Sequence, residues 1–157
     1  MVITLAVILA TGAAFADHPD GFGIGVQFGG SGGWGGYWGG GGALTLKFPG
    51  IPLFWAVDFA IGPSYIWMNL AGDYYLIDNQ LVKTLHWYLG VGGYVGLSLS
   101  NPLGIDAGAR LPVGLSWQPL DLLEIYLQVV PSLGLGILPV LGLGGGWGGN
   151  LGIRLWF

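Results

Sequence analysis

The chain has 157 residues and no cysteine, is 53% hydrophobic but only 8% charged, and carries a formal net charge of −4. Soluble globular chains run near ~25% charged residues, so a water-exposed globule of this composition would present too much apolar surface and associate. Four Lys and Arg in all exclude an electrostatic nucleic-acid surface, and the lack of cysteine excludes a disulfide framework and thiolate metal sites.

Met1–Ala16 is an apolar run ending in Ala14-Phe15-Ala16, a small-x-small sequence followed by Asp17-His18-Pro19-Asp20. This pattern predicts a signal peptide over 1–16 and a mature domain over 17–157. The run lacks a basic n-region, which fits a true start upstream of Met1. A first core strand or a membrane anchor is the competing reading.

From Phe22 a two-residue period recurs, with turn chemistry between the repeats. Phe22, Ile24, Val26 and Phe28 alternate with Gly23, Gly25 and Gln27. The tract 29–42, holding Trp34, Tyr37 and Trp38, is too rich in glycine for a packed strand and is predicted as a long loop. Leu44–Phe48 and Leu53–Ile61 flank a turn at Pro49-Gly50-Ile51-Pro52, and Ile66–Ile77 reads as a weaker strand before a turn at Asp78-Asn79-Gln80.

Lys83–Leu99 carries the clearest segregation. Leu85, Trp87, Leu89, Val91, Val95, Leu97 and Leu99 fall on one face, and His86, Tyr88, Gly90, Gly92, Tyr94, Gly96 and Ser98 on the other. Ile105–Trp117 repeats the pattern, with Pro112 predicting a bulge because proline cannot donate to a ladder. Leu123–Val130 follows a turn at Pro119-Leu120-Asp121, and a glycine-rich connection over 138–149 precedes the final strand, Asn150–Phe157.

Eight strands joined by short turns on one side and longer loops on the other predict an all-β fold: an eight-stranded antiparallel up-and-down transmembrane β-barrel. About 9–11 tilted residues suffice to cross a bilayer. Trp55, Trp117, Trp156, Phe157 and Phe48 are expected at one membrane interface, and Trp34, Tyr37, Trp38 and Trp147 at the other. A helical bundle is the rival membrane architecture. Leu122–Leu143 is apolar enough for one, but Pro131, Pro139 and several glycines disfavour it.

The segments 51–62, 85–97, 105–135 and 151–157, above all ARLPVGLSW, LEIYLQVVPSLGL and GIRLWF, resemble a family of small eight-stranded outer-membrane barrels typified by spirochaete proteins. Its architecture is similar to the membrane domains of OmpA and OmpX. The resemblance implies a bacterial outer-membrane location with both termini periplasmic, and no catalytic motif to transfer. It also implies that the terminal aromatic Phe157 is read by the outer-membrane assembly machinery. Partners are then outer-membrane lipid and, through loops 29–42 and 138–149, an extracellular ligand.

The inward set collects Asp58, Asp73, His86, Asp106, Arg110, Glu124, Gln128 and Arg154. Buried charges must be paired, so Glu124 is predicted to lie between Arg110 and Arg154 and to bond both. A self-satisfied plug is the structural reading and a gated polar path the functional one. Eight strands leave a lumen that side chains fill. Inward glycines at 90, 92, 96, 108, 114, 134, 136 and 152 make room for Tyr88, Tyr94, Tyr126, Trp156 and Arg110. No catalytic residue, cofactor or metal site is predicted: His86 reads as a satisfied lumen histidine, His18 as part of a flexible start, and the spacings of Ser98 and Ser116 mark neither as a nucleophile. The two G-x-G-x-x-G matches, Gly30–Gly35 and Gly144–Gly149, open no predicted helix. A non-enzymatic surface or structural barrel is the favoured function, and a narrow pore or a soluble lipid-binding barrel with a greasy interior the alternatives.

Overall fold

The computed structural model describes residues 18–33, 38–62 and 65–157; the predicted signal peptide and Trp34 lie outside them. Nine strands follow one another: β1 (Gly23–Gly33), β2 (Trp38–Lys47), β3 (Phe54–Gly62), β4 (Tyr65–Val82), β5 (Leu85–Leu99), β6 (Gly104–Arg110), β7 (Val113–Leu120), β8 (Leu123–Leu138) and β9 (Gly142–Trp156). All pairings are antiparallel, and β9 pairs back onto β1, so the sheet closes without an edge.

β6 and β7 are two halves of one wall position. β6 lies between the upper parts of β5 and β8, and β7 between their lower parts. Leu111 and Pro112 separate the halves, yet Leu111 N–H still donates to the Pro131 carbonyl at 2.9 Å and Gly90 N–H to the Pro112 carbonyl at 2.8 Å. The ring therefore has eight staves, the sixth interrupted where proline removes a donor.

Lateral partners around the ring run Gly23, Lys47, Phe54, Asp73, Gly92, Arg110, Ser132, Gly146 and back to Gly33. The circuit returns roughly ten residues higher on β1, a shear that tilts the strands by roughly 40° at ordinary strand spacing. The first and last strands seal each other: Phe22 N–H donates to the Phe157 carbonyl at 3.0 Å and Phe157 N–H to the Phe22 carbonyl at 2.8 Å. Turns at 48–50, 83–84 and 121–122 lie at this same end of the barrel.

Several predicted boundaries move. The tract 29–42 is largely ladder, not loop: Gly29 pairs with Gly41 and Asn150, and Gly30 with Gly40 and Gly149. Likewise 142–149 belongs to β9, which leaves 139–141 as the connection from β8. A ladder needs only backbone N–H and C=O groups, and tracts held on both flanks keep their glycines in register. The turn placed at 78–80 falls instead at 83–84, because β4 continues through two bulges, between Tyr75 and Ile77 and between Gln80 and Val82. The apolar stretch 122–143 forms strand rather than helix.

The two faces sort as the period predicts. Leu127, Val129, Leu133, Leu151 and Ile153 are exposed on the outside, while Tyr88, Tyr126, Glu124, Gln128 and Arg154 are buried inside. Trp55, Trp117 and Phe157 are on the outer side, Trp117 and Phe157 largely exposed, and Trp147 is exposed near the other end. Trp156 is a correction: it is 4% exposed and points into the lumen, on the same side as Arg154 two residues earlier. For Trp38 only the backbone is described.

Inside, bare positions face large ones. A Cβ on Gly152 would run into the Tyr126 ring, and one on Gly114 would lie 2.5 Å from Tyr88. Gly108 and Gly134 make the same space for Tyr94. Gly152→Ala should therefore cost about 1–3 kcal/mol by overpacking, whereas Gly144→Ala, which meets nothing within 4 Å, should leave stability unchanged. Urea unfolding of the two variants in detergent micelles checks the contrast.

Candidate functional site

The chemistry-bearing side chains meet in the lower lumen, toward the end that holds the short turns. Glu124 on β8 is its hub. Oε2 accepts from Arg154 Nη1 at 2.8 Å and Trp156 Nε1 at 2.9 Å, and Oε1 accepts from Ser116 Oγ at 2.9 Å and lies 3.1 Å from His18 Nε2. Four partners fill the acceptor sites of one carboxylate, and the side chain is 1% exposed. The Arg154 guanidinium also lies over the rings of Phe54 and Tyr126, 4.8 Å from each centroid.

Arg110 does not join Glu124. Its Nε lies 3.1 Å from Asp73 Oδ1. The lateral row explains the choice: Asp73 and Arg110 flank Gly92, which has no side chain to separate them. Glu124 is lateral to Arg154, whereas Arg110 is lateral to Ser132, eight residues further along β8. Strand adjacency alone does not bring two residues together when their positions along the strands differ.

The remaining predicted residues distribute around this core. Asp58 accepts from Asn69 Nδ2 at 2.8 Å and Gln27 Nε2 at 3.4 Å. Gln128 accepts from the Tyr88 hydroxyl at 3.0 Å and donates to Gln27 Oε1 at 3.4 Å. The Tyr126 hydroxyl donates to the same Gln27 oxygen at 3.0 Å. His86 Nδ1 lies 3.5 Å from Asp78 Oδ1. Asp106 stands higher on β6, its carboxylate over Gly96, away from the Glu124 hub.

Four participants were not selected from the sequence. Gln27 and Ser116 occupy inward parity and were legible in principle. Asp78 reads as a turn residue until the bulge after Tyr75 shifts the parity of β4. His18 reads as part of a flexible start, but its ring enters the lumen and bonds Asp78 through Nδ1 and Glu124 through Nε2. With a carboxylate on each nitrogen the ring donates twice, which is the imidazolium form. Burial alone would lower the His18 pKa; the Glu124 and Asp78 carboxylates outweigh it and raise it to about 9.

Ser116, His18 and two carboxylates share this space without forming a nucleophile–base pair. Ser116 hands its proton toward Glu124, and both His18 nitrogens are taken by carboxylates. Among the described residues no set of three His, Cys, Asp or Glu is arranged to hold a metal. A stack of Phe54, Tyr75 and Tyr88, from the neighbouring strands β3, β4 and β5, with centroids 4.1 and 4.4 Å apart, lines the lumen beside the hub. The void among Gln27, Thr45, Asp73, Arg110, Gln128 and Arg154 is about 10 Å³, room for about one water.

The fold has a counterpart among solved structures. The crystal structure of Neisserial surface protein A (NspA) superposes with a TM-score of 0.65, covering 87% of this chain and 97% of that one at 13% identity. The fold is that of an eight-stranded outer-membrane barrel. The N-terminal β-barrel domain of Pseudomonas aeruginosa OprF also matches, at a TM-score of 0.49 and 15% identity, over 86% of this chain and 97% of that one. No protein-family model matches the chain, and no curated protein is similar to it in sequence.

Removing the hub strands a buried guanidinium, so Glu124→Ala should cost about 3–5 kcal/mol. The two ion pairs should act separately. In a double-mutant cycle of urea unfolding, Asp73→Asn and Arg110→Met should couple by about 0.5–3 kcal/mol, while Arg110→Met and Glu124→Gln should add to within about 0.5 kcal/mol.

Proposed function

We propose that this chain is an integral protein of a bacterial outer membrane, without enzymatic activity, that acts structurally or presents its upper rim to the outside. The observation that carries the reading is the inversion of polarity: apolar side chains are exposed around a closed, edge-free wall, and the charges are buried and paired inside it. A soluble protein gains nothing from this arrangement, whereas hydrocarbon requires it. The same polarity weighs against a soluble barrel that carries lipid in a greasy interior, since this interior is ionic.

In this reading 1–16 is a leader that is removed, the termini face the periplasm, and Phe157 is the signal to the assembly machinery. The strand sequences over 105–135 resemble those of the spirochaete-typified members of the class. Among the described residues, the connections at the upper rim are 100–103 and 139–141. A surface ligand would have to be met there rather than on the long loops expected at 29–42 and 138–149. The ring stack and the ion pairs favour a closed plug over a narrow pore.

Three measurements test the reading. The expressed protein should fractionate with outer membranes and show heat-modifiable gel mobility; recovery in buffer without detergent overturns it. In planar bilayers it should give no discrete conductance steps, and regular steps would favour the pore. Val129→Arg, on the exposed face near mid-height, should destabilise the barrel in vesicles by about 2–4 kcal/mol, an effect that a water-facing wall would not produce.

A further inference from the structure

The His18 ring sits in a pocket whose walls come wholly from the barrel. Asp78 on β4 and Glu124 on β8 present carboxylates to its two nitrogens, and both carboxylates are shielded from solvent. Around it stand Phe54 on β3 and Tyr75 on β4, each 5.4 Å between centroids, Tyr88 on β5 at 6.0 Å and Trp156 on β9 at 6.3 Å. His18 itself precedes β1, and its short segment is held by side chains: Asp20 Oδ1 accepts from Gly50 N–H at 3.2 Å and lies 3.4 Å from Lys47 Nζ. Ladder bonding begins only at Phe22.

We propose that Asp78, Glu124 and this aromatic cage form a receptacle for a small planar cation, and that the His18 imidazolium occupies it from within the chain as a detachable plug. The charge balance argues for it. Arg154 already pairs with Glu124, so withdrawing His18 leaves Asp78 and its surroundings one positive charge short, and two buried carboxylates require a cation between them. The ring edges lie where an imidazolium makes T-shaped contacts. A flat cation the size of imidazolium, carrying two N–H donors, matches the site. The remaining groups facing the ring are His86 on β5, Ser116 on β7 and Arg154 on β9. The raised His18 pKa fixes the sign of the pH effect: the plug's contribution to stability is complete below about pH 6.5 and is lost as pH rises through about 9.

The experiment uses the full chain refolded in detergent micelles, so it reads the folded barrel wherever that barrel resides in a cell. His18→Ala should lower the temperature at which the compact gel form is lost by several degrees. Millimolar imidazole at neutral pH should restore most of that loss in the variant and leave the unmodified protein unchanged, with sodium acetate at equal ionic strength as control. Melting of His18→Ala like the parent, or a deficit indifferent to imidazole, overturns the proposal. Should His18→Ala fail to fold, histidine nitrogen NMR of the unmodified barrel decides. A doubly protonated His18 ring at about pH 8, above the ordinary imidazole range, supports the plug, and a neutral one overturns it.

Discussion

Closure of eight strands with a fixed shear is the constraint on which everything else depends. It satisfies each neighbouring backbone without an edge, and it also sets a lumen so narrow that the large inward rings face glycines rather than one another across a strand pair. The lumen is therefore a problem of complementary volumes. Tyr126 can be buried because Gly152 beside it is bare, Tyr88 because Gly114 is, and Tyr94 because Gly108 and Gly134 are. A chain with 33 glycines would ordinarily be a poor candidate for ordered sheet. Here many of those glycines are the negative image of the aromatic and cationic groups that fill the barrel.

The same geometry governs the charges. Groups stranded in a narrow, poorly hydrated lumen persist only if their partners are within reach, and reach is set by the lateral rows. Asp73 meets Arg110 across Gly92, and Glu124 meets Arg154 directly. Lys47 is held near Asp20 on the segment that leads into the wall. Sheet closure, ion pairing and blockage of the lumen are thus one arrangement seen three ways. The charges of the polar interior are paired with one another within it.

Much of this was legible in the sequence, for a simple reason. A two-residue period survives any register, so the faces of Lys83–Leu99 or of Leu123–Val130 can be read without knowing their neighbours. The interruption at Pro112 was equally visible, since it follows from a missing proton. What was not legible depended on register or on bulges. The pairing of Arg110 required knowing that it lies level with Gly92 and Asp73. The inward turn of Asp78 required the bulge after Tyr75. The glycine tracts at 29–42 and 142–149 looked like loops because a side-chain pattern is absent there, although a ladder is not made of side chains. His18 had no periodic context at all, and only its two carboxylate partners reveal its place.

The break between β6 and β7 has a consequence for how the wall bears load. Pro112 turns its carbonyl to Gly90 on β5, so its protonless nitrogen faces the same strand; Pro131 likewise turns its carbonyl to Leu111. Two rungs are therefore missing side by side at mid-height, across three adjacent staves, while the ladders above and below them run on. A cylinder stitched at every rung would resist squeezing equally from all sides. This one carries a crease. At mid-height the seams that join β5, the interrupted stave and β8 are thus held by fewer backbone bonds than the ladders above and below them.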